Sequence, residues 1–571
     1  MRFPLRPLIF SAVAAWCALP CARAGWSGGF DMEPDSGVDI GVDMAYESFP
    51  MAGYVPCRVS IKNGSDTAQT WNFSFITRTG DSGRPSEEVL EREFRVPAGE
   101  SGSFDVLMPV CPSHQNDGYV ASPSIMATGY GLRSPQISLP NAGRGGKTET
   151  AFVIMSPGLA TRSWKLLSTE LDKRWKQTLV GSEMGIGMLS EDWRGLLGVG
   201  GFFIGANEFS GLSPGQRHAV RAWVAQGGTL ILCGDGEVRD FENVGAQGGE
   251  YGLGDVKRLA WDGVSELPIA EATEFVRGLN DMLGDRLKDP SPPWNYATSL
   301  GVASRNVSFL AVFITLFAVI VGPLNLFWFA GSGRRHRLFW TTPLISVGAS
   351  VLLGAVILLQ DGFGGRGVRM TLRYLLPQDK QVLVMQEQAS RTGLLLSRSF
   401  AGSPDIFLAP LTTPHSIGGQ RSSRTYTLDP RGFGGDWFVS RSTQGQFIEA
   451  MVPSREAVEM VGMQDGAPVV RSSIPVMLAE FYFIDEKGAH WFASNLRTGE
   501  SMKLVSTDKA NPMQAVKRSS GPMLGRAFEA IGNKNGYFYA IAAKPVCIET
   551  LPSIRWSDEK TIYIGPVVAT P

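Results

Sequence analysis

The two longest apolar runs of the chain lie close together, at residues 307–330 and 338–359. Each has roughly the 20 residues that a helix needs to cross the hydrocarbon core of a membrane. Residues 331–337, Gly-Ser-Gly-Arg-Arg-His-Arg, join the runs and are too few to form a domain. The pattern therefore predicts a membrane hairpin, with the polar regions before and after it on the same face of one membrane.

Residues 1–24 have the pattern of a secretory signal peptide. Two arginines precede a short apolar stretch, and Ala22-Arg23-Ala24 matches an A-x-A cleavage signal. A lipoprotein signal with Cys21 is the alternative, but Pro20 stands where lipidation requires a small residue. We expect the mature chain to begin at Gly25 outside the cytoplasm. The arginines in turn 331–337 agree, because positive charge favours the cytoplasmic side.

Residues 25–150 alternate between apolar and polar positions in short segments. Cys57, Val59 and Ile61 alternate with polar residues, and Asn63-Gly64 then provides a turn. Short alternating strands separated by turns are typical of an immunoglobulin-like β-sandwich. Cys57 and Cys111 both fall at predicted strand ends, so they form either a disulfide or two unpaired thiols.

Residues 151–288 have a different periodicity. Ala151–Met155, Phe202–Ile204 and Thr229–Cys233 are continuous apolar segments, which predict buried strands. A helix is predicted to open at Ser213-Pro214-Gly215-Gln216, with serine at the N-cap. Strands and helices joined by short links favour a parallel α/β sheet. A further helix is predicted over Glu271–Leu287.

The remaining soluble segments are a spacer and a second β region. Residues 289–306 contain a proline-rich break that predicts a stiff linker to the membrane. Residues 360–571 begin with glycines and then alternate again, with a turn predicted at Asp485-Glu486-Lys487-Gly488. The chain is therefore expected to hold two extracytoplasmic regions, of roughly 280 and 210 residues.

Composition excludes some functions. The chain has 53 basic and 54 acidic side chains, which gives a net charge of −1 and no footprint for nucleic acid. Its five histidines are scattered, and no C-x-x-C pair is present, so neither a metal site nor a cofactor is expected. An acidic run from Asp31 to Asp43 lacks the spacing of a calcium loop and is more typical of a solvated segment.

Two short sequence patterns resemble catalytic motifs. Gly211-Leu212-Ser213-Pro214-Gly215 matches the G-x-S-x-G pattern of a nucleophile elbow, but the preceding strand ends too early, so Ser213 is expected to be a helix cap. Cys233, Asp235 and Glu237 follow a central strand and form the one alternative catalytic site. Because no histidine follows within this region, we expect Cys233 to be a buried, inert core residue. No catalytic residue is therefore assigned.

The two apolar runs carry small residues at helical spacing, which let helix backbones approach closely in lipid. These residues are Ala311, Thr315, Ala318 and Gly322 in the first run and Ser346, Ser350 and Gly354 in the second. Asn325 is the polar exception. We expect its amide to bond the backbone freed by Pro323 or the second helix, in preference to a role as a functional polar site.

Four segments of the chain resemble a group of uncharacterised bacterial envelope proteins: Trp223 to Gly228, Val321 to Asn325, Arg334 to Arg337, and Asp485 to Leu504. The resemblance implies an immunoglobulin-like domain, a class I glutamine amidotransferase-like domain without its catalytic residues, a Val-Gly-Pro-Leu-Asn hairpin and a β-rich tail. The expected fold is thus a multidomain membrane protein with a β-sandwich, a flavodoxin-like or amidotransferase-like α/β domain, a transmembrane hairpin and a C-terminal β domain.

The same resemblance implies an association with envelope-stress or assembly systems that contain von Willebrand-type domains. The expected function is a non-catalytic scaffold or sensor in the cytoplasmic membrane, with both soluble regions outside and a protein or glycan partner. The alternative is an envelope hydrolase or carbohydrate-active enzyme that uses the α/β domain. An enzyme would need clustered titratable groups at the carboxyl ends of the sheet strands.

Overall fold

A computed structural model describes most of the chain after the predicted signal peptide, which lies outside the described residues. The described residues are 25–50, 52–79, 86–110, 120–139, 142–143, 148–149, 151–236, 238–241, 248–261, 265–279, 300, 307–329, 333, 335–403, 405–411, 424–429, 432–508 and 513–569.

Ten strands occupy the first region. They are β1 Ser27–Gly29, β2 Val38–Met44, β3 Gly53–Asn63, β4 Gln69–Thr79, β5 Ser86–Val96, β6 Ser101–Val110, β7 Val120–Thr128, β8 Gln136–Ser138, β9 Ala142–Gly143 and β10 Thr148–Glu149. The order β1-β2-β3-β6 makes one sheet, and β5-β4-β7-β8 makes most of another. Phe94 and Phe104 stack across the two sheets with ring centroids 4.5 Å apart, so the sheets pack face to face. The predicted alternation is present in β3, where Cys57, Val59 and Ile61 are buried and the polar residues between them are partly or fully exposed.

The second region is a parallel sheet with helices. Its elements are β11 Val153–Met155, α1 Pro157–Trp175, β12 Gln177–Thr178, β13 Gly181–Glu183, β14 Gly201–Gly205, α2 Ala206–Ser210, α3 Pro214–Ala225, β15 Thr229–Cys233, β16 Gly248–Tyr251, β17 Gly254–Leu259 and α4 Ile269–Arg277. The sheet order is β13-β11-β14-β15-β17-β16, with only β16 antiparallel. The continuous apolar strands are buried on both faces, as parallel sheets require.

Helix α4 is shorter than the sequence predicts. It ends at Arg277, and the amide of Gly278 closes it on the carbonyl of Glu274. Glycine after the last helical residue is a common helix terminator, which the apolar spacing alone does not reveal. The predicted continuation over residues 280–287 lies outside the described residues.

Two apolar helices follow. The first is α5 Val307–Val319, which continues as a π-helical segment over Ile320–Phe329, and the second is α6 Leu338–Asp361. Both are long and apolar enough to cross a membrane by length and composition. A short helical turn, Arg335–Arg337, precedes α6.

The last region contains most of the remaining strands. Its elements are β18 Gly365–Leu376, β19 Gln381–Thr392, β20 Phe407–Leu411, β21 Arg424–Asp429, β22 Gly432–Gly435, β23 Thr443–Pro453, β24 Val458–Gln464, β25 Ala467–Ser472, β26 Leu478–Ile484, β27 His490–Leu496, β28 Ser501–Lys503, β29 Val505–Ser506, α7 Met513–Ser519, α8 Pro522–Ile531, β30 Tyr537–Ala542 and β31 Ile554–Ala569. The large sheet runs β20-β23-β19-β18-β31-β30-β26-β27-β29, and β24, β25 and β28 join it through the end of β31.

The two regions on either side of the apolar helices share a sheet. Strand β21 pairs in parallel with β5, so that Tyr426 lies opposite Glu88 and Leu428 opposite Leu90. Strand β22 then extends the same sheet, which has seven strands in all. The sandwich that the sequence places within residues 25–150 is therefore completed by strands from beyond residue 420.

Polar contacts also join the α/β sheet to the last region. The Asp379 carboxylate pairs with the Arg221 guanidinium and accepts a hydrogen bond from the Tyr251 hydroxyl. The side chains of His218 and Gln381 are hydrogen bonded at 2.9 Å. The described parts of the first and last regions thus form one contacting body.

The carboxyl of Glu88 is buried at the seam between β5 and β21, with a residual exposure of 5%. Burial raises the pKa of Glu88 to about 8, from an ordinary value near 4.5. The folded protein therefore binds a proton here that the unfolded chain releases between these two pH values. Stability attributable to this residue should fall as the pH rises from about 4.5 to about 8.

Glu88→Gln should remove this pH dependence. We expect the variant to exceed the parent in free energy of unfolding at pH 8, by on the order of 3 kcal/mol, with little difference at pH 4.5. Urea unfolding at a series of pH values would measure it. Glu93→Gln, on the exposed face of the same strand, is the control and should change little. Parallel pH profiles for the parent and Glu88→Gln would contradict the assignment.

Candidate functional site

Open parallel sheets bind their ligands at the edge formed by the carboxyl ends of the strands. In order of appearance along the chain, the five parallel strands of this sheet are arranged 2-1-3-4-5. In sheets of this order, ligands bind where the connections that leave two neighbouring strands run to opposite sides of the sheet. Here that place lies between the ends of β11 and β14. Ser156 follows β11 and Gly205 ends β14, so these two residues mark the switch point.

Glu208, which the sequence analysis missed, occupies the switch point. Its Oε2 accepts a hydrogen bond from the Ser156 hydroxyl at 2.7 Å and a longer one from the Gly205 amide at 3.3 Å. The carboxylate thus lies between the N-terminal ends of α1 and α2, where backbone amides attract negative charge. The place that would receive an anionic ligand holds a carboxylate of the chain itself.

Cys233 lies at the end of β15 and is 4% exposed. Burial, with a smaller contribution from the Glu208 carboxylate, raises the pKa of the Cys233 thiol to about 12. A thiol with this pKa stays protonated at neutral pH and is a poor nucleophile. Asp235 is exposed in the loop beyond it, and Glu237 lies outside the described residues.

The described residues do not bring the catalytic partners of a cysteine nucleophile together around Cys233. His218, on α3, is hydrogen bonded to Gln381 of the last region. The described residues contain no group of three or more His, Cys, Asp or Glu side chains that could hold a metal ion. Among the described residues, the edge of the sheet offers a hydroxyl, a carboxylate and a protonated thiol, without a histidine that could act as a base for the thiol.

Ser213 caps α3, as its sequence context predicts. Its hydroxyl accepts a hydrogen bond from the Gln216 amide at 3.1 Å, and the Gln216 side chain accepts one from the Ser213 amide at 3.1 Å. The Ser213 hydroxyl also donates to Glu191 at 2.6 Å. The G-x-S-x-G match is therefore a capping box and not a nucleophile elbow.

Cys57 and Cys111 are the two cysteines for which the sequence leaves both a disulfide and two unpaired thiols open. Cys57 is a buried free thiol that lies opposite Val106 in the ladder between β3 and β6. Val110, the last residue before Cys111, lies opposite Gly53, roughly 13 Å along the strand from Cys57. Cys111 itself lies outside the described residues.

The small-residue stripe of the first apolar helix does not face the second helix. Ala311, Thr315, Ala318 and Gly322 are all exposed. A Cβ added at Gly322 or Gly354 would meet no atom within 4 Å, so the predicted close approach is wrong at both glycines. Gly322 also lies in the π-helical segment, where an α-helical count does not predict the face that a residue occupies.

Asn325 joins the first apolar helix to the second through a hydrogen bond. Its side chain is fully buried, and its amide nitrogen donates to the Thr342 hydroxyl at 2.9 Å. This is the bond to the second helix that the sequence analysis expected. At the end of the pair near the arginine-rich turn, Trp328 and Trp340 are both more than three quarters exposed, as interfacial aromatic residues are.

Comparison with known proteins gives no family. No protein-family model matches the chain, and no curated protein matches it. The sporulation control protein Spo0M of Bacillus subtilis is 12% identical over 17% of this chain and 49% of its own, with a TM-score of 0.12. The putative ApaA protein of Bordetella pertussis is 14% identical over 19% of this chain and 94% of its own, with a TM-score of 0.13.

A third structure, a β-glucuronidase of Bacteroides uniformis, is 11% identical over 37% of this chain and 28% of its own, with a TM-score of 0.15. The chain spans about half the length of the Spo0M structure that it matches. Scores of this size indicate neither a common fold nor a common function.

Cys233→Ala tests the inert role of the thiol. We expect a loss of about 1 kcal/mol in the free energy of unfolding, because a small buried volume is removed, and no labelling of Cys233 by a thiol reagent in the folded parent. Chemical denaturation and mass spectrometry of the alkylated protein would measure both. Stoichiometric labelling of Cys233 in the folded protein would indicate a reactive nucleophile instead.

Proposed function

We propose that the protein is a non-catalytic scaffold or sensor, anchored in the cytoplasmic membrane by its two apolar helices. Both large regions would lie outside the cytoplasm, where they would bind a protein or glycan of the cell envelope. The absence of a usable base beside Cys233 among the described residues, and the Glu208 carboxylate at the switch point, support a non-catalytic role for the α/β sheet.

Exposure of the apolar helices supports the membrane anchor. Over Ala311–Trp328 in the first helix, 6% of the residues are buried inside the protein, and over Arg335–Val356 in the second the share is 0%. A core helix of a soluble protein would instead be covered by its neighbours, since exposed apolar area is costly in water. Lipid is the environment in which such a surface is stable.

One observation carries the proposed topology: β21 from the last region pairs with β5 from the first. Strands that share a ladder must lie in the same compartment. A chain that enters the membrane at α5 must therefore return through α6 to the side from which it came. The predicted signal peptide then makes that side the outside of the cytoplasm.

An engineered disulfide tests this topology. Val89 and Thr427 lie opposite each other in the β5–β21 ladder, with both side chains partly exposed. In cells that express Val89→Cys/Thr427→Cys, the two cysteines should cross-link in the oxidising extracytoplasmic space. Val89→Cys/Asp465→Cys, whose second cysteine lies in the turn between β24 and β25, is the control and should stay unlinked. Cysteines that remain reduced, with labelling from opposite sides of the membrane, would refute the hairpin.

A further inference from the structure

Three arginines lie side by side at the end of the large sheet into which α6 leads. Helix α6 ends at Asp361, and β18 begins four residues later. Arg366 on β18 lies opposite Arg391 on β19 and opposite Arg555 on β31. Residues that are directly paired across strands point to the same face, and neighbouring strands are about 4.8 Å apart. The three side chains therefore form one row, the arginine row, across roughly 10 Å of the sheet.

The arginine row is unfavourable unless something neutralises it, because like charges directly opposite each other destabilise a sheet. Carboxylates do pair with other arginines nearby: Arg369 contacts Glu559 at 2.5 Å, and Arg398 contacts Asp436 at 3.6 Å. Within the described part of the chain, no ion pair is formed by the arginine row. Arg366 and Arg555 are exposed to solvent, and Arg391 is half-buried.

Two large apolar side chains lie close to the row in the chain: Phe363 precedes Arg366, and Leu396 follows Arg391. Phe363 is 65% exposed and Leu396 is 86% exposed. Backbone hydrogen bonds fix the loop of Leu396 against the segment that follows α6: Leu394 donates to the Gly362 carbonyl at 2.9 Å. Phe363 forms an isolated bridge with Leu394. We call Phe363 and Leu396 the apolar tip.

We propose that the arginine row and the apolar tip bind anionic phospholipids in the outer leaflet of the membrane that α6 crosses. This inference rests on the proposed membrane anchor. Guanidinium groups bind phosphate through paired hydrogen bonds, and the apolar tip would insert below the headgroups. Chain continuity favours lipid over free phosphate. Arg366 is five residues from the end of α6, so it lies at most about 18 Å of extended chain from a helix that is proposed to cross the membrane.

Lipid quenching of a probe at the apolar tip tests the proposal. The full chain carries Leu396→Cys in a background without native cysteines, is labelled with an environment-sensitive fluorophore and is reconstituted into vesicles with nitroxide-labelled lipid. We expect stronger quenching with phosphatidylglycerol present than with phosphatidylcholine alone, and a loss of the difference at high salt. Arg366→Gln, Arg391→Gln and Arg555→Gln should each lower the docking equilibrium constant about fivefold.

The control is Arg497→Gln. Arg497 is exposed, and the next residue, Thr498, forms a bridge to the end of β25. This part of the sheet lies near the C-terminal end of β31, about 40 Å along that strand from Arg555. Vesicle flotation measures the anchor separately, so a chain that fails to float refutes the anchor and not the lipid site. A chain that floats but shows equal quenching in both lipids, or unchanged quenching in the arginine variants, overturns the lipid site. Inorganic phosphate that abolishes quenching at constant ionic strength would identify a free-phosphate site and overturn it as well.

Discussion

Replacement of Leu428 by aspartate should separate the two regions of the protein. Leu428 is 7% exposed on β21 and lies opposite the buried Leu90 of β5. The substitution removes a buried leucine and leaves a carboxylate without a partner in an apolar core. Each change is costly, and we expect a loss of about 4 kcal/mol or more in the free energy of unfolding. Urea unfolding of the purified protein would measure it.

A matched control lies one residue away. Thr427 is next to Leu428 on the same strand, but its side chain points to the other face and is partly exposed. Thr427→Asp should therefore cost less than about 1 kcal/mol. Similar losses for the two variants would mean that the strand does not pack into the sandwich as the structure shows. Limited proteolysis should also cut within residues 412–435 more rapidly in Leu428→Asp than in Thr427→Asp.

Glu387→Ala should destabilise the last region by about 3 kcal/mol. The Glu387 side chain is fully buried on β19, and its two oxygens accept hydrogen bonds from the amides of Gly521 and Met523, at 2.8 and 2.6 Å. These are the first amides of α8, which have no partners within the helix. Alanine leaves both without an acceptor, in a site too buried for water to replace the carboxylate freely. Thermal unfolding would measure the loss.

Two variants sharpen this prediction. Glu529→Ala, on α8 itself, removes a surface ion pair with Lys517 and should cost under about 1 kcal/mol. Gly521→Ala should be damaging, because its Cβ would lie 2.5 Å from a Glu387 oxygen. If Glu387→Ala and Glu529→Ala were equally stable, the capping of α8 by Glu387 would not matter for the fold.

Local sequence patterns predicted those strands, helices and helix caps that depend on residues close together in the chain. Continuous apolar segments identified β11, β14 and β15, because strands buried on both faces have no polar alternate positions. The capping box at Ser213 was visible because it depends on residues three apart. The two apolar helices were visible from length and composition alone.

Long-range pairing was not predictable in the same way. The addition of β21 to the first sheet depends on two segments more than 330 residues apart: Thr425 donates to Glu87 across a separation of 338 residues. Alternation of apolar and polar residues predicts a strand but does not identify the strand with which it pairs. The sandwich boundary drawn at residue 150 missed β21 for this reason.

The candidate site was also only partly predictable. Cys233 was found at the end of its strand, and the structure places it in the core. Glu208 and Ser156 were missed because they are 52 residues apart and meet only through the order of the strands. The sequence did contain a signal for Glu208. It is the third residue of the short helix α2, which directly follows β14, and this position places its carboxylate at the edge of the sheet.

The shared ladder of β5 and β21 also has a consequence for biogenesis. A ribosome completes β5 more than 300 residues before it reaches β21. Throughout that interval the outer edge of β5 lacks its native neighbour, and unpaired strand edges invite pairing with other chains. Alternating charges along this strand, from Glu87 to Arg95, provide a safeguard, because charged edge residues discourage such pairing. The newly synthesised first region must therefore stay soluble while its sheet is incomplete.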